Sequence, residues 1–152
     1  MKVKFLRDKA KDLFYEGATL TRQTEGSAGY DIASCMDVKI LPNEVLMLPT
    51  GFAIEIGDGC FGAIYPRSSM ATQRGLVLAN TVGIIDSDYR DEVMVAVKNT
   101  SDELQVIREG ERFCQLIIQP YGVSFEDDHF KVKEVDELDD TDRDGGFGST
   151  GA

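Results

Sequence analysis

Seven short runs of strand-forming residues, each closed by turn chemistry, constrain the fold of this chain more than any other feature. They are MDVKIL (36–41), EVLMLP (44–49), GFAIEI (51–56), CFGAIYP (60–66), EVMVAVKN (92–99), ERFCQLIIQPY (111–121) and HFKVKEV (129–135). Between them stand LPNE, IGDG, NTSDE and REGE, whose Pro, Gly, Asn and Asp supply the bends that a strand cannot make. Many short strands at this spacing predict an all-β antiparallel domain, a jelly-roll-like β-barrel. Only SSMATQRG (68–75) predicts a short helix, with two serines at its start to cap it. KAKDLFYEG, near the N-terminus, reads either as a strand edge or as a short helical turn, and no internal repeat is present.

A length of 152 residues suits one domain with a real core. The net charge of −11 is unevenly spread: residues 126–144 carry ten Asp or Glu against three Lys or Arg, leaving −4 on residues 1–125. Such a balance argues against stable nucleic-acid binding and against an anionic membrane surface, both of which need clustered cations. Three well-separated cysteines, Cys35, Cys60 and Cys114, form no CxxC pair, and no signal peptide or long apolar run is seen. The expectation is a soluble intracellular protein whose thiols are reduced and buried. A single histidine, His129, makes a zinc site or a Ser-His-Asp triad improbable.

Five stretches are not strand filler. SAGYDIAS (27–34) sets Asp31 beside a flexible Gly-Tyr at the head of an apolar strand. PRSSMA (66–71) places Arg67 ahead of Ser68 and Ser69 at a helix start, which is either a phosphate site or an ordinary arginine beside a cap. GLVLANTVGIIDSDYRDEV (75–93) reads as two apolar arms turned back on each other, leading into an Asp-Ser-Asp-Tyr cluster. In an extended chain Asp86 and Asp88 share a face, and with Tyr89 they serve either a general base and a sugar-stacking ring or a polar turn. ERFCQLIIQP (111–120) carries Gln115 between apolar residues, as a structural hydrogen-bonder or a ligand contact. RDGGFGSTGA (143–152) ends the chain on glycines that offer nothing to a core, as a frayed tail or a lid does.

Taken in order, AGYD, PRSS, the run from GLVLAN to IDSDY, ERFCQLI and GGFGSTG closely resemble the motifs of the homotrimeric dUTPases, from about residue 18 to the end of the chain. The resemblance implies a jelly-roll domain over residues 1–135, then an acidic linker and a glycine-rich arm over 136–152 that closes on a neighbouring subunit. It implies hydrolysis of dUTP to dUMP and pyrophosphate, which limits uracil incorporation into DNA and supplies dUMP for dTMP synthesis. Asp86 would hold the attacking water, and Mg²⁺ would ride mainly on the triphosphate with Asp31 holding some of its waters. Asn80 and the hairpin backbone around Gly83 would pair with uracil, and Tyr89 would lie against the deoxyribose. Arg67, Ser68, Ser69 and Gln115 would grip phosphates. From the arm, Phe147 would stack on uracil, Arg143 would reach the γ-phosphate, and Gly148, Ser149 and Thr150 would wrap the phosphates.

Two positions depart from the family pattern. Asp144 stands alone between Arg143 and Gly145 where two residues are usual, and Asp91 sits where a glycine commonly follows the Tyr-Arg pair. The alternatives are a dCTP deaminase of the same fold, or a dUTPase-fold protein with an additional partner-binding regulatory role.

Overall fold

In the computed structural model, which describes residues 1–122 together with Glu134, Val135 and Glu137, six of the seven sequence runs become strands, at full length for 60–66 and at half length for 36–41. In chain order the elements are β1 (Lys2–Phe5), α1 (Asp8–Tyr15), β2 (Tyr30–Ala33), β3 (Val38–Ile40), β4 (Val45–Pro49), β5 (Phe52–Glu55), β6 (Cys60–Pro66), α2 (Ser68–Arg74), β7 (Leu76–Leu78), β8 (Gly83–Ile85), β9 (Met94–Asn99), β10 (Gln105–Ile107) and β11 (Arg112–Pro120). Of the strand expected at 129–135, residues 129–133, His129 among them, lie outside the described residues, and Glu134 and Val135 are not in a strand; the boundary at 135–136 also falls at an undescribed residue.

All strand pairs are antiparallel. The larger sheet runs β2-β11-β6-β8 and the second β4-β9-β7, with β1-β5 and β10-β3 as two-stranded ribbons, a jelly-roll arrangement. Burial follows the period of two: along β9, Val95, Val97 and Asn99 point inward while Met94, Ala96 and Lys98 do not. Ile32, Ile64, Ile85 and Leu116 from the larger sheet share one core with Leu48, Leu76, Val95 and Val97 from the second. Asn99 is fully buried yet satisfied, donating to the Ile40 and Glu103 carbonyls and accepting from Ser101. No helix among the described residues is long and apolar enough to cross a membrane.

Three expectations are corrected. Among the described residues there are two helices rather than one, because 8–15 forms α1, whose Ala10 and Leu13 bury one face. The serines of α2 do not cap it: Arg67 is the N-cap residue and no side chain accepts from the first turn, so Ser68 and Ser69 are already helical. The arms of 75–93 turn back but do not pair with each other, since β7 joins β9 while β8 joins β6. The cysteines are free, with Cys35 and Cys114 buried and Cys60 only half-buried.

Candidate active site

The larger sheet collects Asp31, Arg67 and Gln115 at one of its ends. Across the ladder Gln115 stands opposite Asp31 on one side and Tyr65 on the other, and Arg67 follows directly on β6. A register shift between Arg112 and Cys114 bulges β11 there, and bulges re-aim neighbouring side chains. On the other side the β6–β11 ladder continues regularly, and the Phe113 carbonyl accepts the Arg67 N–H at 3.2 Å. Arg67 also donates through Nη1 to the Arg112 carbonyl at 3.2 Å.

Asp31 is the hub of this cluster. It is buried, and its two carboxylate oxygens face Arg67 Nε at 3.6 Å and Arg112 Nη1 at 3.2 Å. A carboxylate flanked by two guanidiniums fixes both, and both arginines remain about a third exposed. The sequence reading missed Arg112, although it lies inside ERFCQLI: its partner is 81 residues away and only strand pairing brings the two together. Burial, with the Asp31 carboxylate adding to it, pushes the Cys114 thiol well above its ordinary range.

Gln115 is half-buried and its side-chain amide has no hydrogen-bond partner among the described residues. Gly29 explains its placement, because a Cβ there would stand 2.8 Å from Gln115 Oε1. The glycine of AGYD therefore makes room for the amide. Ser68 is exposed and Ser69 half-buried at the start of α2.

A second group sits on the connection between the sheets. Thr81 has φ +66, costly for a β-branched residue, at the tip between β7 and β8. The tip is held by Thr81 N–H to the Leu78 carbonyl at 3.2 Å and Val82 N–H to the Asn80 carbonyl at 2.7 Å. Among the described residues, the Asn80 N–H and the carbonyls of Ala79 and Thr81 have no partner. Gly83 packs under them, since a Cβ would lie 3.2 Å from Ile64 and 3.8 Å from the Asn80 amide nitrogen. The splayed arms thus leave these backbone groups free and exposed at the tip.

Residues 86–89 form a turn, closed by Tyr89 N–H to the Asp86 carbonyl at 3.2 Å, so Asp86 and Asp88 do not share the face of an extended chain. Both carboxylates are exposed. The Tyr89 ring packs against the core, and its hydroxyl donates to the Glu92 carbonyl at 2.9 Å. Asp91 has no positive φ, so the aspartate at this position is unstrained. Within one chain the two groups stand apart: β8 ends with Ile85 opposite Gly62, whereas Arg67 follows Pro66. The five steps from Gly62 to Arg67 are about 16 Å at about 3.3 Å per residue. Arg143, Phe147, Gly148, Ser149 and Thr150 lie outside the described residues.

Fold and site together define an antiparallel jelly roll with a cationic cluster at one end of its larger sheet and a tip of free backbone groups close in sequence to exposed carboxylates. The dUTPase family model matches residues 16–151, and the chain belongs to that family. The deoxyuridine 5'-triphosphate nucleotidohydrolase of Finegoldia magna is 43% identical over 131 residues, 84% of this chain and 87% of that protein. That of Nautilia profundicola is 42% identical over 144 residues, 94% of this chain and 97% of the other. Among solved structures, a variant of the Staphylococcus bacteriophage 80alpha dUTPase with dUpNHpp superposes with a TM-score of 0.81 at 26% identity, covering 99% of this chain and 98% of that one. The dUTPase of Streptococcus mutans gives 0.71 at 27% identity over 82% of this chain and 98% of its own.

Proposed function

We propose that this protein hydrolyses dUTP to dUMP and pyrophosphate. The unpaired Asn80 N–H and Ala79 and Thr81 carbonyls, close in sequence to the turn at 86–89, carry the proposal. Uracil offers an N–H between two carbonyls: a free backbone carbonyl can accept the N–H, while the Asn80 N–H and the Asn80 side-chain amide can donate to the two oxygens. Cytosine inverts that pattern at N3 and C4, leaving buried groups unpaired at a cost of about 1–3 kcal/mol each. The tight packing of Gly83 on Ile64 supports exclusion of the thymine methyl.

Beyond the base, Tyr89 is tethered through its hydroxyl and its N–H. Its ring lies against the deoxyribose and refuses a ribose 2′-hydroxyl. The exposed Asp86 carboxylate accepts a hydrogen bond from the water that attacks the α-phosphorus, and pyrophosphate leaves with the β- and γ-phosphates. Arg67, Ser68, Ser69 and Gln115 grip those phosphates, with Asp31 holding Arg67 and Arg112 in place. Arg143 and the backbone at 148–150 complete the enclosure, Phe147 covers the base, and water is excluded when they close. Removal of dUTP limits uracil incorporation into DNA, and the dUMP produced feeds dTMP synthesis.

Among the described residues no three acidic, His or Cys side chains group as a protein-only metal site. Asp31 uses two of its roughly four acceptor positions on arginines, leaving room for metal-bound waters. Asp31 would hold Mg²⁺ there through water, and the ion would supply charge neutralisation for the triphosphate.

The separation of Asp86 from Arg67 supports a shared site. Nucleophile and phosphate grip must meet around one α-phosphorus, and a second copy brings its Arg67 cluster to the Asp86 of the first. A homotrimer with three shared sites satisfies this. The test is product analysis with Mg²⁺ and, separately, dUTP, dCTP, dTTP and UTP: dUMP and pyrophosphate from dUTP alone is expected. Deoxyuridine products from dCTP, or turnover of all four alike, would overturn the proposal.

A further inference from the structure

Residues ahead of Glu16 lie outside the family match and carry none of the site motifs. The structure nevertheless ties them to the segment that follows Tyr89. Arg7, at the head of α1, donates through Nε to Glu92 Oε1 at 3.1 Å. The same oxygen accepts the Gly51 N–H at 2.8 Å. Gly51 has φ +80, and a Cβ on it would stand 2.6 Å from the Ala10 Cβ, so α1 rests directly on this turn. Leu6 and Arg7 donate their N–H groups to the Gly51 carbonyl at 2.8 and 3.3 Å. Glu92 is thereby a junction. Its carboxylate is held by the N-terminal segment, and its carbonyl accepts the Tyr89 hydroxyl at 2.9 Å.

The segment is anchored again just past this point, where Thr50 donates its N–H and its hydroxyl to the Val93 carbonyl at 3.2 and 2.8 Å. Glu92 therefore sits between a fixed strand entrance and the turn at 86–89. Of its contacts, the one with Arg7 is made by a side chain from outside the residues the family model matches. The pair is partly exposed, at 43% for Arg7 and 23% for Glu92, so its net worth in stability is small. A weak contact placed at a junction acts through geometry. Exclusion of a hydroxyl is a matter of about one ångström of clearance, and a ring whose anchor can shift supplies that clearance.

We infer that Arg7 is a positioning residue for sugar discrimination: by holding Glu92, it fixes the carbonyl that anchors Tyr89 and so the ring that refuses the 2′-hydroxyl. This rests on the proposed role of Tyr89 against the deoxyribose. Arg7→Gln should lower the ratio of kcat/KM for dUTP to that for UTP by about tenfold, mainly by admitting UTP, a size of effect usual for one small group in a pocket. Arg7→Lys, which keeps a cation on a flexible stem, should restore part of the ratio. Tyr89→Phe cuts the same chain at its other end, so the double variant Arg7→Gln/Tyr89→Phe should discriminate no worse than Tyr89→Phe alone.

Lys9→Gln is the control, because Lys9 pairs with Glu109 at 3.1 Å on the same helix and does not touch Glu92. It should leave the ratio unchanged. Should Arg7→Gln fail to fold, Glu92→Gln is read in the same way. An unchanged ratio in a folded Arg7 or Glu92 variant of a protein that does hydrolyse dUTP overturns this inference alone. An equal loss in Lys9→Gln also overturns it, since the effect would then belong to the helix as a whole. Absence of dUTP hydrolysis in the unmodified protein overturns both this inference and the proposed function.

Discussion

Substituting Gly29 by Ala should damage the phosphate end of the site through one identifiable collision. The added methyl would stand 2.8 Å from Gln115 Oε1, 3.2 Å from Gln115 Cβ and 3.3 Å from Ile117 Cγ1, against about 3.5–4.0 Å for comfortable carbon contacts. The amide oxygen can swing away, but the two carbons are anchored on β11 and can yield only by shifting strands. Overpacking of this kind costs about 1–3 kcal/mol. With one of the three contacts at a flexible side-chain end, about 1–2 kcal/mol is the expected loss, or about 2–8 °C in Tm for a domain of this size. Displacement of the amide should lower kcat/KM for dUTP by about 10- to 100-fold, the scale of an ångström-level misplacement. Thermal denaturation and pyrophosphate release, measured on Gly29→Ala, Gln115→Ala and the double variant, separate the two effects. Because alanine keeps the Gln115 Cβ and Ile117 is untouched, the double variant should recover only a small part of the Tm loss, with activity no lower than in Gln115→Ala. Unchanged melting and turnover in Gly29→Ala, or strictly additive losses of activity, would refute the collision with Gln115.

Three further outcomes are expected. Thr81→Gly removes a β-branched residue from φ +66, a strain of about 1–2 kcal/mol, against about 0.4–1 kcal/mol of added unfolded-state entropy; Tm should rise slightly while KM for dUTP increases as the tip loosens, and a fall in Tm would contradict this. Asp31→Asn removes the counter-ion of Arg67 and Arg112, so metal-free pyrophosphate should bind about tenfold more tightly by calorimetry, within the ~1–4 kcal/mol of one charge at about 4 Å, while dUTP turnover falls. Burial raises the Cys114 thiol and, despite the Arg7 charge, the Cys35 thiol, so the native protein should alkylate at Cys60 first, as peptide mapping would show. Because those two thiols hold their protons more tightly when folded, their contribution to stability is complete below the unfolded thiol value of about 8.5 and is lost as pH climbs from there toward the folded values, which denaturant titrations at alkaline pH would detect.

The strand runs were legible because their period and their turns are local. CFGAIYP begins and ends as β6 does, and SSMATQRG is α2 with Gly75 in the left-handed conformation as its stop. The short ribbon strands β1 and β10 carry too few residues to show a period, and α1 has a sequence compatible with either state. The separate destinations of β7 and β8 are a matter of tertiary pairing: both arms are apolar, and nothing in their composition says that one joins β9 and the other β6. The same limit hid two arginines. Arg112 meets Asp31 only through the β2–β11 ladder, and Arg7 meets Glu92 across 85 residues of chain. Arg67, Asp86 and Gln115 were visible because each interrupts a local pattern: a cation at a helix start, an acid after an apolar strand, an amide within one.

Hydrolysis of dUTP in water enriched in oxygen-18, followed by mass analysis of both products, tests the central claim most directly. Attack by the Asp86-held water on the α-phosphorus places one heavy oxygen in dUMP and none in pyrophosphate. Label in pyrophosphate would mean attack at the β-phosphorus, and the assignment of Asp86 to that water would be wrong.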